Sequence, residues 1–264
     1  MAGSENQNPS AGVRRLLDAG ASIAGGAFGG AIGFLVGGPA GAIAAGAAGS
    51  AAGEALRHIG DEVSRRALAP REAMRVGGVL GLAASTIQKR LDDGEQIRDD
   101  GFFDENETER SDAEEFAESV LTKSQREPEE KKLRYMANLL SNVSFDKSVS
   151  IAFAQQLTKI AEQLTYRQLC LLKLAAHAQA NPVRSTNYTS ETSFPLELRQ
   201  LLYELMDLFH RGLIHNGPAH PLSIKDLVPK QLGVHGVGAD LFNLMNLHEI
   251  PDEDLMPAFS QLMK

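Results

Sequence analysis

From Ala19 to Gly53 the chain runs for 35 residues without a charged side chain. Within it lies "GGAFGGAIGFLVGGPAGAIAAGAAGSAAG" (25–53). There glycine or alanine recurs at every fourth position: Gly25, Gly29, Gly33, Gly37, Gly41, Ala45, Gly49 and Gly53. Flexible linkers are rich in glycine and serine and are polar. Here 12 Gly and 13 Ala are joined by only two polar residues, Ser22 and Ser50, and by large apolar ones such as Phe28, Ile32, Phe34, Leu35 and Val36. An interior glycine costs an aqueous helix about 1 kcal/mol, so twelve would melt an isolated one. In lipid every backbone group must be bonded internally, which enforces helix despite glycine. Small residues four apart then let two helix backbones approach closely.

Helical geometry narrows this reading. Four residues overshoot one turn by roughly 40°, so a stripe from Gly25 to Gly53 would rotate by about 280° along a straight helix. Gly37-Gly38-Pro39 is the natural break. It leaves two arms, Ala21–Val36 and Ala40–Leu56. Each is roughly 24 Å long against a hydrocarbon core of ~30 Å. The second arm has Ile43 as its sole bulky residue before Leu56. The pattern therefore predicts a glycine-zipper hairpin with marginal membrane affinity that needs partners to stay in lipid. Arg14 and Arg15 precede the run, and Arg57, Arg65, Arg66, Arg71 and Arg75 follow it. Basic flanks on both sides suit a hairpin with both ends in the cytoplasm. The competing reading is a tightly packed soluble helix pair whose arginines line ordinary solvated faces.

Bulk composition limits the partners. The 264 residues carry 26 Lys+Arg against 34 Asp+Glu, a net charge of -8. Such a chain has no global attraction for nucleic acid or anionic lipid, so either contact needs a local basic patch. The lone cysteine, Cys170, sits in an apolar run (YRQLCLLKLAA) and reads as a core residue in a reducing compartment. Arg14 and Arg15 meet a signal-peptide pattern only in part. The long polar leader, Asp18 and the scarcity of large apolar residues argue against secretion.

Four regions follow. Residues 1–12 read as a disordered leader. Residues 13–91 comprise the zipper hairpin and amphipathic helices: one over 54–69, with Leu56, Ile59, Val63 and Ala67 on one face, and one over 71–91, with Ala73, Gly77, Gly81 and Ser85 at fours. Residues 92–112 (DDGEQIRDDGFFDENETERSD) hold ten acids and two arginines, the charge density of an exposed linker. Gly101-Phe102-Phe103 is the exception and invites docking. Residues 113–264 read as a soluble helical domain, with helices over 113–125, 129–144, 148–164, 165–179, 195–214, 239–248 and 252–263 and a polar loop over 181–195. Gly212 marks a helix end. LIHNGPAHPLS reads as a short strand-turn-strand. The fold class is thus all-α, with a winged-helix-like portion over 165–224.

No catalytic constellation emerges: no HExxH, GxSxG, P-loop or paired cysteines. GVHGVG (233–238) mimics a nucleotide loop but follows no predicted strand. The late histidines (His210, His215, His220, His235, His248) show spacing without convergence, so no metal or cofactor is expected. In the winged-helix-like portion, Arg199 and Arg211 are offset by Glu197, Glu204 and Asp207, which argues against base readout and leaves a protein contact.

The stretches "EEKKLRYMANLLSNVSFD" (129–146) and "LTKIAEQLTYRQLCLLKL" (157–174) resemble the helical core of the bacterial abortive-infection alpha family and related phage-defence proteins. Those sequences similarly run a charged helix into an "ANLLAN" turn and on to a "LSxxxxxIL" helix, many with a small-residue-rich segment upstream. The resemblance implies an all-α bacterial protein acting in defence through host-cell damage, and it supplies no catalytic residues. The resulting expectation is a non-enzymatic effector of the cytoplasm and inner membrane. Its partners would be the lipid bilayer, further copies of itself and a protein bound by the C-terminal domain, with no nucleic acid. The alternative is a soluble interaction or regulatory module whose glycine run is a packing seam.

Overall fold

The computed structural model describes His58 and residues 68–107, 109–218 and 220–263. Cα packing divides the chain into two compact units, Met1–Gln163 and Leu164–Lys264. The described residues are mostly helical, with eight α-helices and one two-stranded sheet.

In the first unit α1 spans Pro70–Asp92, α2 Asp112–Arg126, α3 Leu133–Val143 and α4 Ile151–Gln163. Pro70 occupies the first turn of α1, where its missing N–H costs nothing. Val76, Val79, Leu80, Ala83 and Ile87 are buried, and α1 packs on α2 and α3. Ser111 caps α2: its Oγ accepts the Glu114 N–H at 3.2 Å, and Glu114 Oε2 accepts the Ser111 N–H at 2.8 Å. Side-chain bonds fix the helix directions. Arg71 and Arg75 meet Glu130 beside the start of α3, while Arg90 donates to Asn142 near its end. Arg75 also donates to the Gln125 carbonyl, so the start of α1 meets the end of α2. Gln155 donates to the Glu115 carbonyl, joining the starts of α4 and α2. Thus α1 and α3 run one way and α2 and α4 the other.

The tract 92–112, expected to be an exposed linker, is part of this unit. Ile97, Arg98 and Phe102 are buried. The Arg98 guanidinium donates to the Val149 carbonyl at 2.9 Å and to Asp100 Oδ1 at 2.8 Å, and lies 4.2 Å above the Phe102 ring. Phe102 meets Phe103 edge-on at 5.2 Å and packs near Phe116. Burying one phenylalanine contributes about 1.5–3 kcal/mol, enough to fasten a strap whose acids stay in water. The division of the chain falls after α4 rather than in this tract.

In the second unit α5 spans Tyr166–Ala176, α6 Leu196–His210, α7 Val237–Leu244 and α8 Asp252–Leu262. Thr165 and Gln168 form the capping box of α5. Gly212, at φ +69°, ends α6 as its sequence position suggests. Strand β1 (Ile214–Asn216) pairs antiparallel with β2 (Leu232–Val234), in the register Ile214↔Val234. The sequence places the partner of β1 within LIHNGPAHPLS, and the structure corrects this. Its end is taken up by a cap instead: Asp226 Oδ2 accepts the N–H groups of Leu222 and Ser223, and a 3-10 turn follows over Ile224–Asp226. Buried Asn216 holds the excursion closed: its Oδ1 accepts the Val228 N–H at 2.8 Å and its Nδ2 donates to the Asp226 carbonyl at 3.2 Å.

Within the 181–195 loop Tyr188 is fully buried, and its hydroxyl has no hydrogen-bond partner among the described residues. Burial pushes the phenol up to about 12, against the attraction of Arg184. A buried orphan hydroxyl costs about 1–3 kcal/mol. Tyr188→Phe is therefore expected to stabilise the protein by about 1 kcal/mol, read as a higher urea midpoint; a lower midpoint would mean that the hydroxyl is satisfied. A phenol raised on folding leaves stability intact below pH 10 and erodes it as pH rises toward 12. The substitution should remove that erosion as well.

Candidate functional site

The zipper positions Gly25, Gly29, Gly33, Gly37, Gly41, Ala45, Gly49 and Gly53 lie outside the described residues, as do residues 1–12 and most of 54–69. Among the described residues no helix is long and apolar enough to cross a membrane. One described side chain stands close to the zipper in sequence. His58 Nδ1 lies 2.5 Å from Glu114 Oε1, so the carboxylate that caps α2 also holds His58. Burial pushes the Glu114 carboxyl up, but bonds from the Ser111 backbone, His58 and the Ser111 hydroxyl outweigh it and bring it below the usual carboxylate range.

GVHGVG (233–238) does lie between a strand and a helix, which its sequence did not suggest. Backbone bonds nevertheless close the turn on itself. Gly238 N–H donates to the His235 carbonyl and Ala239 N–H to that of Gly236, both at 2.8 Å. Asp240 adds an acid to the first turn of α7. The glycines serve close packing. A Cβ on Gly233 would come within 2.8 Å of His215 Cε1, and one on Gly238 would overlap the Leu213 backbone.

The late histidines fall into small groups, His215 with His235 and His210 with His220 around Phe209. His215 Nδ1 accepts the Gly217 N–H at 3.1 Å, which places its proton on Nε2 and leaves no ring lone pair for a metal. His235 lies edge-on to it at 6.3 Å. His220 packs on Phe209, and His248 on Phe242. Among the described residues no group of three or more His, Cys, Asp or Glu is placed to hold a metal ion. Cys170 is buried.

The outward face of α6 mixes apolar and charged groups. Leu196 is 59% exposed and Tyr203 60%, and Leu222, in the β1–β2 excursion, is 87% exposed. Beside them Glu204 is bound by Arg167, and Asp207 Oδ2 accepts from Arg211 at 2.9 Å. Two acids of α6, Glu204 and Asp207, thus neutralise neighbouring arginines, while Glu197 accepts from Gln261.

Sequence reading missed the buried polar anchors Arg98 and Lys132 and the orphan Tyr188 hydroxyl. All three sit in charged or polar segments, where periodicity gives no signal. Comparison with protein-family models, curated protein sequences and solved structures returns no match.

Proposed function

We propose that the protein is a non-enzymatic, membrane-active effector. Copies assemble through the glycine-zipper hairpin of residues 25–53 and permeabilise a bacterial inner membrane, in a role such as abortive infection by phage. The observation that carries this reading is the unbroken four-residue spacing of small residues inside 35 uncharged ones. The resemblance of 129–146 and 157–174 to phage-defence proteins supports the setting. Membrane fractionation of the full chain and of a chain lacking residues 19–53 tests it. The full chain is expected in the membrane fraction on overexpression, and the deleted chain in the supernatant. A full chain that stays wholly in the supernatant overturns the reading.

A second reading rests on the α6 face. Helix α5, a loop, helix α6 and the β1–β2 pair follow one another along the second unit. Leu196 and Tyr203 are exposed on α6, and Leu222 is exposed in the β1–β2 excursion. Tyrosine beside aliphatic residues suits a protein contact. On this reading the protein is a soluble interaction module, and the glycine run is a packing seam.

A further inference from the structure

Topology gathers charges in the first unit that are dispersed in the sequence. The start of α1, the ends of α2 and α4 and the start of α3 share one end of the bundle. They bring together Arg71, Lys123, Arg126, Lys131, Arg134 and Lys159. The opposite end carries the tract 92–112 with its ten acids, together with Glu115 and Glu118. The cations of that end are largely spent locally: Arg90 on Glu95, Arg98 on Asp100, Arg110 on Glu118 and Lys147 on Asp99.

At the basic end some charge is also paired. Glu130 binds Arg71 and Arg75, Glu127 binds Lys132, and Glu162 lies 4.0 Å from Lys123. Arg126 and Lys159 are exposed and make no ion pair among the described residues, and Arg134 is exposed at the start of α3. Helix α1, of 23 residues, connects the two ends, so they lie roughly 34 Å apart. The Debye length at physiological salt is only about 8 Å. A flat anionic surface touching one end is therefore screened from the other, and the net acidity of the chain does not cancel the attraction.

We propose that this basic end is the face with which the protein meets an anionic membrane surface, through the phosphate groups of lipid headgroups. The inference rests on the membrane reading above and adds an orientation to it: basic end against the bilayer, acidic strap away. Lipid is favoured over nucleic acid for two reasons. On α6, the helix that would read a duplex, Arg211 is held by Asp207, and Glu204 holds Arg167 beside it. In the sequence, Arg57, Arg65 and Arg66 lead from the uncharged run directly into Pro70 at this end.

The test is cosedimentation of the full-length protein with vesicles of phosphatidylcholine alone or with about one-third phosphatidylglycerol, at about 50 mM and about 300 mM salt. Wild type is expected to prefer the anionic vesicles and to lose the preference at the higher salt. Arg126→Gln with Lys159→Gln should reduce that preference about twenty-five-fold, taking about fivefold for each cation. Lys89→Gln with Lys147→Gln, the same charge change at the opposite end, should leave it unchanged. Equal binding of wild type to both vesicles, preference retained in the first pair, or equal loss in the control pair overturns the proposal. So does a short DNA duplex that wild type binds more tightly than anionic vesicles and the first pair does not bind. Gly29→Leu should keep the anionic preference while losing permeabilisation, so failure of the zipper reading and failure of this one are distinguishable.

Discussion

Gly238→Ala is expected to lower the stability of the second unit by about 3 kcal/mol or more. The added methyl would fall 2.6 Å from the Leu213 carbonyl carbon and 2.7 Å from its Cα, and closer still to the carbonyl oxygen. No side chain can rotate to relieve the clash, because the obstacle is backbone. That backbone is itself held: the Leu213 carbonyl accepts the His235 N–H at 3.0 Å, and the next residue opens β1. Moving it separates the strand pair from α7. Urea unfolding followed by circular dichroism reads the effect. A midpoint equal to wild type would show that α7 does not seat on Leu213 as described.

Lys132→Met is expected to cost about 3–5 kcal/mol, and the double change Lys132→Met with Glu127→Gln much less. Lys132 is only 1% exposed. Its Nζ lies 2.5 Å from Glu127 Oε2 and 3.2 Å from the Glu162 carbonyl, tying the start of α3 to the turn after α2 and to the end of α4. Removing the cation leaves Glu127 buried and unpaired, which costs more than the pair contributes. The amide oxygen introduced by Glu127→Gln can still accept from the Glu129 N–H, as Glu127 Oε1 does at 2.9 Å. Equal loss in the single and double variants would place the cost in packing rather than in an uncompensated charge.

Helix boundaries were legible because local chemistry sets them. Pro70, Thr165 and Gly212 each mark a terminus by a backbone or capping requirement that operates within a few residues. The apolar spacing of 113–125, 129–144 and 148–164 corresponds to the buried faces of α2, α3 and α4. Phe102 stood out as an apolar residue in a run of acids, and it docks against Phe116 as that suggests. Features set by distant partners were not legible: Arg98 sits in the same run, and only the Val143 and Val149 carbonyls explain why it goes inside. Strand β2 has a single strongly apolar pair, Leu232 and Val234, around a glycine, and it forms because β1 supplies a partner across a long excursion. GVHGVG resembled a ligand loop because close approach to Leu213 and to a phosphate ask for the same residue type. The charged ends of the first bundle require the helix directions, which no local pattern encodes.

The measurement that bears most directly on the central claim is dye release from liposomes by the full chain and by its Gly29→Leu and Gly33→Leu variants, read beside toxicity on expression. The zipper account predicts release and toxicity from wild type, with both sharply reduced in the variants, because a leucine at either position holds the helix backbones apart. Release and toxicity undiminished in both variants would contradict it.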